Sequence, residues 1–421
     1  MLTQAPKGTK DVLPSQSANW QYVESVVRDI CARFGYREIR TPVFEHTELF
    51  LRGVGDTTDI VQKEMYTFTD KGNRSITLKP EGTAGVVRSF VENSLYADAQ
   101  PTKMYYLNCP VFRYEKSQKG RLREHHQFGV EVFGSQGPGI DAEVITVALS
   151  LFHALGINGL ALNINSIGCK QCRPAYNAAL REYLKQREQE LCRNCRERMV
   201  TNPLRTLDCK EESCKEIVRN APVMLDCLCD DCAAHFKGLK KRLEAAGIEY
   251  SVNPLIVRGL DYYTKTVFEI ISTDIGAQGT VCGGGRYDGL VEELGGPSMP
   301  GIGFGLGIER LLLVLESLGI ALPQPALCDV YVCTLGEAAS VEGFCVTKHL
   351  RDAGIKAECD HMVRSLKAQL KYAGKLNAKF VAIIGDDELE KGVCMLRDMN
   401  KSEENTVPLT ELNQIIKAGL S

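Results

Sequence analysis

The most informative stretch of the sequence is residues 110–134, PVFRYEKSQKGRLREHHQFGVEVFG. They predict two strands around a basic loop, because residues of strand-like alternation flank a run rich in lysine and arginine. The alternation places Arg113 and Glu115 on one face of the first strand, and Gln127 and Glu131 on one face of the second. A polar sheet face beside a cationic loop suits a bound phosphate, since arginine offers a fixed fork of donors. An ordinary solvated hairpin is the alternative at this point.

A second aromatic segment lies beyond the middle of the chain. Residues 257–271, VRGLDYYTKTVFEII, predict a strand in which the adjacent Tyr262 and Tyr263 point to opposite faces. One tyrosine should then pack in the core, and the other should lie at the surface or in a site. Arg258 precedes the strand at a turn that contains glycine. A half-buried strand with two aromatic core residues is the alternative interpretation.

Three more segments place charges beside glycine-rich turns or helix starts. Residues 282–296, CGGGRYDGLVEELGG, let the backbone approach a ligand closely. Residues 300–316, PGIGFGLGIERLLLVLE, predict a glycine strand and then a helix with Arg310 in its first turn, where a cation opposes the helix dipole. In ITLKPEGTAGVVRSF, residues 76–90, Glu81 stands at a helix start and could partner the dipole or an ammonium group. Taken singly, each segment also fits ordinary structure.

Composition excludes several classes of protein. The 421 residues are 44% hydrophobic and 24% charged, which rules out wholesale disorder. The net charge of -3 excludes a histone-like polycation but leaves room for a local basic patch that binds nucleic acid. No apolar run reaches the roughly 20 residues of a membrane span. The start of the chain has no stretch of signal-peptide type, so we expect a cytoplasmic protein without membrane association.

The pattern of elements divides the chain into a core, an insert and a second domain. Prolines 323 and 325 mark the linker, and short apolar strands that alternate with helices predict a parallel sheet after it. The predicted ranges are 1–164 with 241–320 for the core, 165–240 for a cysteine-rich insert, 321–327 for the linker, and 328–421 for the final domain.

Nine of the 17 cysteines fall between Cys169 and Cys232. Because a reducing cytosol disfavours disulfides, such clustering indicates metal or free thiols. Two Cys-x-x-Cys pairs can complete a tetrahedral zinc site. The most closely spaced set would close the smallest loop, and we predict it as a structural Zn²⁺ site: Cys192, Cys195, Cys209 and Cys214. The flanking set could form a second site, and reduced, unliganded thiols are the alternative: Cys169, Cys172, Cys229 and Cys232.

The order of these segments resembles one family. TPVFE, then FRYE in a strand–loop–strand, then a glycine strand leading into GLGIER, resembles the three motifs of class II aminoacyl-tRNA synthetases. LKPEGT, RGLDYYTKTVFE and CGGGRYDGL resemble signatures of the histidyl-tRNA synthetase family. The resemblance implies an α+β catalytic domain with an antiparallel sheet, a cysteine-rich insert, and a C-terminal α/β domain of the anticodon-binding type.

The resemblance also implies roles for individual residues. Arg258 and Arg113 would be catalytic, acting at the α-phosphate of ATP. Residues expected at the nucleotide are Arg113, Glu115, Arg121 and Arg310. Residues expected at histidine are Glu81, Thr83, Gln127, Glu131, Tyr262 and Tyr263. Lys116 and Gln118 would meet the tRNA acceptor end. The family commonly has arginine where this chain has Lys79, and proline where it has Ser117, which concerns the loop rather than the chemistry.

The implied activity is ATP-dependent ligation of histidine to tRNA(His) through a histidyl-adenylate, with ATP and Mg²⁺, in a homodimer. One alternative is the synthetase-like, non-catalytic regulatory subunit of ATP phosphoribosyltransferase in histidine biosynthesis, which lacks the anticodon domain and parts of RGLDYY. Another is a synthetase-like module that senses uncharged tRNA, normally found in a longer chain beside a kinase.

A lysine-rich helix predicts a tRNA contact in the final domain. Residues 364–380, RSLKAQLKYAGKLNAKF, carry five basic residues and no acidic one. Lys367 and Lys371 fall on one helical face together with residues 364 and 375. A solvated helix face is the alternative.

Overall fold

The structure is a computed structural model that describes residues 3–55, 58, 60–116, 122–272, 279–401 and 403–420. The chain forms two compact units, Met1–Leu322 and Pro323–Ser421. The second unit therefore begins at the first of the two linker prolines. In the described part of the chain, no helix combines the length and the apolar character needed to cross a membrane.

The described residues of the first unit form eleven strands and ten α-helices. Its strands are β1 (Arg37–Glu38), β2 (Phe44–His46), β3 (Tyr66–Thr69), β4 (Ser75–Leu78), β5 (Thr102–Phe112), β6 (Glu124–Phe133), β7 (Ala161–Ser166), β8 (Ser251–Val252), β9 (Thr264–Ile271), β10 (Thr280–Arg286) and β11 (Gly301–Gly307). Its helices are α1 (Pro14–Arg33), α2 (Thr47–Val54), α3 (Thr83–Glu92), α4 (Pro138–Ala154), α5 (Arg173–Lys185), α6 (Arg193–Thr201), α7 (Glu212–Val218), α8 (Asp230–Ala245), α9 (Leu290–Glu293) and α10 (Ile308–Ser317).

An eight-stranded sheet of order β1-β5-β6-β11-β10-β9-β7-β8 forms the centre of this unit. The six inner strands, β5-β6-β11-β10-β9-β7, are antiparallel to their neighbours within this set. The short edge strands pair parallel, β1 with β5 and β8 with β7. The antiparallel catalytic sheet is thus confirmed, with parallel edges that make the whole sheet mixed. A separate antiparallel sheet has the order β2-β4-β3.

Helices cover one face of the large sheet, and the site residues lie on the other. Phe128, Val130 and Val132 of β6 are buried in a core shared with α1, α4, α8 and α10. Since side chains alternate along a strand, Gln127 and Glu131 point to the opposite face, where α3 packs. The alternation read from the sequence holds for this strand because one of its faces is fully buried.

Two strand predictions are wrong at their ends. β5 stops at Phe112, so Arg113 and Glu115 lie in the connection beyond it rather than on a strand face. β9 begins at Thr264, where pairing with β10 starts, so Tyr262 and Tyr263 precede the strand. Both tyrosines are buried in the same core, because the segment before β9 folds back over the site face.

The cysteine-rich insert folds around α5, α6, α7 and three 3₁₀ turns, Glu188–Glu190, Pro203–Thr206 and Met224–Cys227. It has an apolar core of its own, which includes Leu180, Leu184 and Ile217. The insert therefore buries apolar side chains of its own in addition to its cysteines. Five cysteines are buried members of that core: Cys172, Cys195, Cys209, Cys214 and Cys232.

The second unit is a five-stranded sheet with helices. Its elements are β12 (Val330–Leu335), α11 (Glu337–Asp352), β13 (Ala357–Cys359), α12 (Leu366–Lys375), β14 (Phe380–Gly385), α13 (Asp386–Glu390), β15 (Val393–Asp398), β16 (Glu403–Pro408) and α14 (Leu412–Leu420). The strand order is β13-β12-β14-β15-β16. The first three strands are parallel as predicted, but β15 and β16 are antiparallel, since the connection from β14 to β15 is too short for a parallel crossover.

Candidate active site

Glu131 lies at the centre of the site face, on β6, with 1% of its surface exposed. Thr83 donates its hydroxyl to Glu131 Oε1 at 2.7 Å, and Tyr287 donates its hydroxyl to Oε2. Burial raises the pKa of Glu131 to about 8 despite these donors, and the nearby Glu81 carboxylate adds to the rise. A buried carboxylate of this kind favours a ligand that brings a donor or a positive charge.

A second buried carboxylate lies beside the first. Glu81 accepts hydrogen bonds from the backbone N–H groups of Thr83 and Ala84, both at 2.7 Å, at the start of α3. Burial raises the pKa of Glu81 as well. Thr83 therefore connects the two acids, because its backbone binds Glu81 and its hydroxyl binds Glu131. The pair places two buried acidic side chains next to each other on the site face of the sheet.

Glycines form the floor on which these side chains rest. A Cβ atom at Gly303 of β11 would lie 2.0 Å from Glu131 Oε2, and one at Gly129 would lie 2.3 Å from the ring of Tyr106. The alternating glycines of β11 and the glycine triplet of β10 thus clear one face of the sheet. The same strands bury Phe304 and Leu306 on the helix side, so only one face is open.

Tyrosines form the wall of the pocket. The rings of Tyr262 and Tyr263 lie 4.7 Å apart, and those of Tyr262 and Tyr287 lie 5.6 Å apart. Tyr106 completes the wall above Gly129. Among the described residues, Tyr287 donates its hydroxyl to Glu131, and the tyrosines of LDYY, Tyr262 and Tyr263, do not.

Arg258 lies beside this pocket and forms an ion pair with Glu269. Its guanidinium lies over Gly283, where a Cβ would come within 2.5 Å of both terminal nitrogens, and 5.9 Å from the ring of Tyr263. The Nε atom of Arg258 is buried and has no hydrogen-bond partner in the part of the chain that the structure describes. Such a buried donor is available to an incoming anion, although the Nε atoms of Arg88 and Arg397 are likewise buried without a partner among the described residues.

The other predicted nucleotide residues are held near strand ends. Arg113 donates from Nε to the carbonyl oxygen of Pro80 at 2.8 Å, next to Glu81. Arg310, in the first turn of α10, donates to the carbonyl oxygen of Thr280 at 2.7 Å. Glu115 follows β5, and its carbonyl oxygen accepts from Arg123. Lys116 is exposed, whereas Gln118 and Arg121, with Ser117, lie outside the described residues.

Sequence reasoning missed Tyr287 and Tyr106. Tyr106 of β5 pairs with Gly129 of β6, which lies on the same strand face as Gln127 and Glu131. Alternation along the two paired strands could therefore have placed Tyr106 on the site face. Tyr287 follows the glycine triplet, and nothing in the spacing tied it to Glu131. The preceding Arg286 fixes Tyr287 in place: it is fully buried and donates to Asp141 at 2.7 Å, and Asp141 in turn lies 2.8 Å from His235 Nε2.

The insert brings its cysteines together in two groups of four. In each group the sulfur atoms all lie within 4.8 Å of one another. One group is Cys192, Cys195, Cys209 and Cys214, and the other is Cys169, Cys172, Cys229 and Cys232. Both groups are the sets of four that we predicted from the cysteine spacing, and both could hold a metal ion.

The basic helix of the second unit is shorter than predicted. Lys367 and Lys371 are exposed on α12, which ends at Lys375. Arg364 precedes the helix, where it pairs with Asp360 at 2.8 Å. Residue 379 follows the helix and donates to a backbone carbonyl near the end of α14. On α12 itself, the basic helical face therefore consists of lysines 367, 371 and 375.

Comparison with known proteins identifies relatives for both units. A family model described as histidyl-tRNA synthetase matches residues 8–311, and one described as anticodon binding domain matches residues 329–419. A histidine--tRNA ligase of Caldanaerobacter subterraneus subsp. tengcongensis is 60% identical over 99% of this chain and 100% of that protein. One from Clostridioides difficile is 56% identical over the whole of both chains. The crystal structure of apo S. aureus histidyl-tRNA synthetase aligns with a TM-score of 0.85 and 40% identity, covering 99% of this chain and 100% of that one.

Proposed function

The chain belongs to the histidyl-tRNA synthetase family and ligates histidine to tRNA, and we propose that it does so through a histidyl-adenylate formed on the site face of the antiparallel sheet. A carboxylate oxygen of histidine attacks the α-phosphorus of ATP, and pyrophosphate leaves. A hydroxyl of the terminal ribose of tRNA(His) then attacks the histidyl carbonyl carbon, and AMP leaves.

The observation that carries this proposal is the pair of buried carboxylates joined through Thr83. Histidine presents a cationic α-amino group and a ring with nitrogens on two sides, and the pocket presents Glu81 and Glu131. Glu81 with Thr83 takes the α-amino group, and Glu131 accepts from the ring N–H. Such a site rejects side chains without ring nitrogens, because they would leave the buried acid unpaired.

Three further residues complete the histidine pocket. Tyr263 forms a hydrogen bond with the second ring nitrogen of histidine, and Tyr262 packs against the ring of Tyr263. Gln127, on β6, lines the bottom of the pocket. Tyr262 and Tyr263 are both buried and in ring contact, so they hold one shape without a ligand. A phenol can donate or accept, which suits the ring nitrogen that Glu131 does not contact.

In this proposal, ATP binds along Arg113, Arg258 and Arg310. Arg258 and Arg113 act at the α-phosphate, and Arg310 acts at the γ-phosphate, with Glu115 and Arg121 as further contacts. The partnerless Nε of Arg258 supports its assignment. Displacement at phosphorus needs positioning and cationic stabilisation rather than a protein nucleophile, so no cysteine or serine takes part.

Class II synthetases generally use ATP with Mg²⁺. Among the described residues, the groups of three or more side chains that could hold a metal ion are the two cysteine groups of the insert and the group Glu358, Cys359 and His361, and none of these groups includes Glu81 or Glu131. Mg²⁺ therefore fits as a ligand of the ATP phosphates, where it supplies further positive charge, rather than as an ion held by a carboxylate cage of this chain.

The tRNA contacts are divided between the two units. Lys116 and Gln118 meet the acceptor end, and Lys367 with Lys371 bind phosphates near the anticodon. The exposure of both α12 lysines on one helical face supports the second contact. The family also implies a homodimer. Phe44 and Phe68 are exposed on the small β2-β4-β3 sheet, and Val43, directly before β2, is exposed as well; these apolar side chains fit a partner chain.

The inner cysteine group is proposed as a structural Zn²⁺ site: Cys192, Cys195, Cys209 and Cys214. Four sulfurs without an open position are typical of structural zinc, and no step of the reaction passes through this ion. Such an ion would contribute to the folding of the insert.

Histidine-dependent ATP–pyrophosphate exchange, followed by aminoacylation of total tRNA, tests the proposal. Exchange with histidine and with no other amino acid is expected. Exchange driven by a different amino acid would overturn the pocket assignment. The regulatory-subunit alternative predicts neither reaction, and the full-length ligase relatives already disfavour it.

A further inference from the structure

The four cysteines at the borders of the insert have the geometry of a second metal site. Cys169 Sγ lies 3.7 Å from Cys172 Sγ and 3.8 Å from Cys229 Sγ. Sulfurs that surround a zinc ion as a tetrahedron, at about 2.3 Å from it, are about 3.8 Å apart. A disulfide requires about 2.05 Å, so these sulfurs are spaced for a shared ion and not for a bond.

Backbone groups support both sulfur clusters. In the outer cluster, Cys172 Sγ accepts from the N–H of Cys229 at 3.1 Å, and this contact joins the two Cys-x-x-Cys turns. In the inner cluster, Cys214 Sγ accepts from the N–H of Cys192 at 3.3 Å, and Cys192 Sγ lies 3.8 Å from Cys209 Sγ. N–H donors aimed at sulfur stabilise the negative charge of a metal-bound thiolate.

The inner cluster is connected to one end of the active-site segment 258–263. Between its ligands Cys195 and Cys209, the chain runs through α6 and the 3₁₀ turn Pro203–Thr206. Asn202 donates from Nδ2 to Asp261 Oδ1 at 2.9 Å, and Arg205 donates from Nη1 to the carbonyl oxygen of Arg258 at 2.9 Å. The loop between Cys195 and Cys209 thus supplies both hydrogen-bond donors, Asn202 and Arg205.

The outer cluster is connected to the other end of the same segment. Arg173, directly after the ligand Cys172, donates to the carbonyl oxygen of Tyr263. The residue before the cluster, Gly168, accepts from the N–H of Lys265 at 2.8 Å at the start of β9. Segment 258–263 is therefore held at both ends by residues that lie within a few positions of cysteine ligands.

We propose that the insert is a two-zinc module, with its second ion at Cys169, Cys172, Cys229 and Cys232, and that Asn202 and Arg205 are positioning residues that set Arg258 for adenylate formation. This inference rests on the proposed role of Arg258. The inner ion fixes the loop that carries Asn202 and Arg205, and the outer ion fixes the turn that carries Arg173. Arg205 holds the backbone of Arg258, Asn202 holds the side chain of Asp261, and Arg173 holds the backbone of Tyr263. A displacement of about 1 Å at a catalytic group can cost about a hundredfold in rate, so loss of either ion reaches the chemistry.

Metal analysis of the full-length protein, purified without chelator, tests the two sites. The expected zinc content is about two per chain, falling to about one in Cys229→Ser and to about one in Cys192→Ser. Cys227→Ser is the matched control, because Cys227 belongs to neither group, and it should keep both ions. A content of about one zinc that Cys229→Ser leaves unchanged would eliminate the outer site.

Exchange kinetics of zinc-loaded variants test the positioning. In Arg205→Ala, kcat for histidine-dependent exchange should fall about tenfold or more while the KM for histidine changes less than about twofold and both ions stay bound. Arg205→Lys should restore most of kcat, since lysine can donate to the same carbonyl. Arg193→Ala is the control, because that exposed arginine of α6 pairs only with Glu197 among the described residues.

An unchanged kcat in Arg205→Ala with intact zinc would overturn the positioning role. A zinc-loaded wild type that shows no histidine-dependent exchange would instead overturn the proposed function. Metal content measures the two-zinc module independently of activity, so the failures are distinguishable.

Discussion

Tyr287 donates its hydroxyl to Glu131 although the two residues are 156 positions apart in the sequence. The contact reaches across the glycines of β11, which leave room between β6 and the end of β10. Arg286, locked to Asp141, holds the tyrosine in this place. The acid that we assign to histidine recognition is thus oriented by a residue from a distant strand.

Replacing Tyr287 with phenylalanine should weaken histidine binding. The buried carboxylate of Glu131 would lose one of its donors, and a hydrogen bond to a charged group contributes about 1.5–3 kcal/mol, or about 10- to 140-fold in KM. Exchange kinetics at several histidine concentrations measure the change. Tyr331→Phe, a buried tyrosine of the second unit, is the control, and an equal effect there would refute a specific role for Tyr287.

Histidine affinity should rise with pH just above neutrality. Because the pKa of Glu131 is about 8 in the empty pocket, most of the protein carries the protonated acid at pH 7. Accepting from the ring N–H requires the carboxylate, so binding releases the proton, and affinity should increase about fivefold from pH 7 to pH 8. Calorimetry in two buffers of different ionisation enthalpy measures the release.

Glu131→Gln should bind histidine weakly and without this pH dependence. Absence of proton release in the wild type would show that Glu131 stays protonated and donates to the ring instead. The same raised pKa has a consequence for folding. The folded form retains a proton that the unfolded chain has released, so this group makes unfolding easier as the pH rises from the ordinary carboxyl range towards 8.

Arg258→Ala should lower kcat for exchange by about a hundredfold or more, with a smaller effect on the KM for histidine. The reason is that Arg258 acts on charge that develops at the α-phosphate. Removing it also leaves Glu269 without its ion-pair partner. The double variant Arg258→Ala/Glu269→Gln separates the two effects, because it should remain as slow as the single variant. A full recovery of kcat in the double variant would assign the loss to the unpaired carboxylate.

Reversing the charge of Lys367 and Lys371 to glutamate should weaken tRNA binding and spare adenylate formation. Each lost phosphate contact lowers the slope of log affinity against log salt by about 0.7–0.9. Filter binding at several salt concentrations measures the slope. Lys391 and Lys401, also exposed on the second unit, provide a charge-matched control pair. Equal damage to exchange and to tRNA binding would indicate a structural helix.

Periodicity predicts the parts of this fold in which one face is buried. Phe128, Val130 and Val132 enter the core, so the alternation of β6 correctly places Glu131 on the open face. Periodicity fails at strand ends. Arg113 and Tyr263 lie just outside β5 and β9, where backbone pairing stops and alternation no longer sets a direction.

Contacts between distant segments do not follow from periodicity. The bond from Tyr287 to Glu131 and those from the insert to Arg258 and Asp261 depend on how strands and turns are brought together in three dimensions. The cysteine groups are an intermediate case. Their close spacing in the sequence restricts the possible partners, and the structure brings together the same sets of four.

Helix α8 gives the insert and the sheet a common support. It begins between the ligands Cys229 and Cys232, and its later turns carry Phe236, Leu239 and Leu243 into the main core. The boundary that we predicted from the sequence, at residue 240, falls inside this continuous helix. A minimised enzyme made by excising residues 165–240 would therefore lose Phe236 and Leu239 from beneath the sheet, so a trimmed version has to retain α8 whole and re-anchor its first turn.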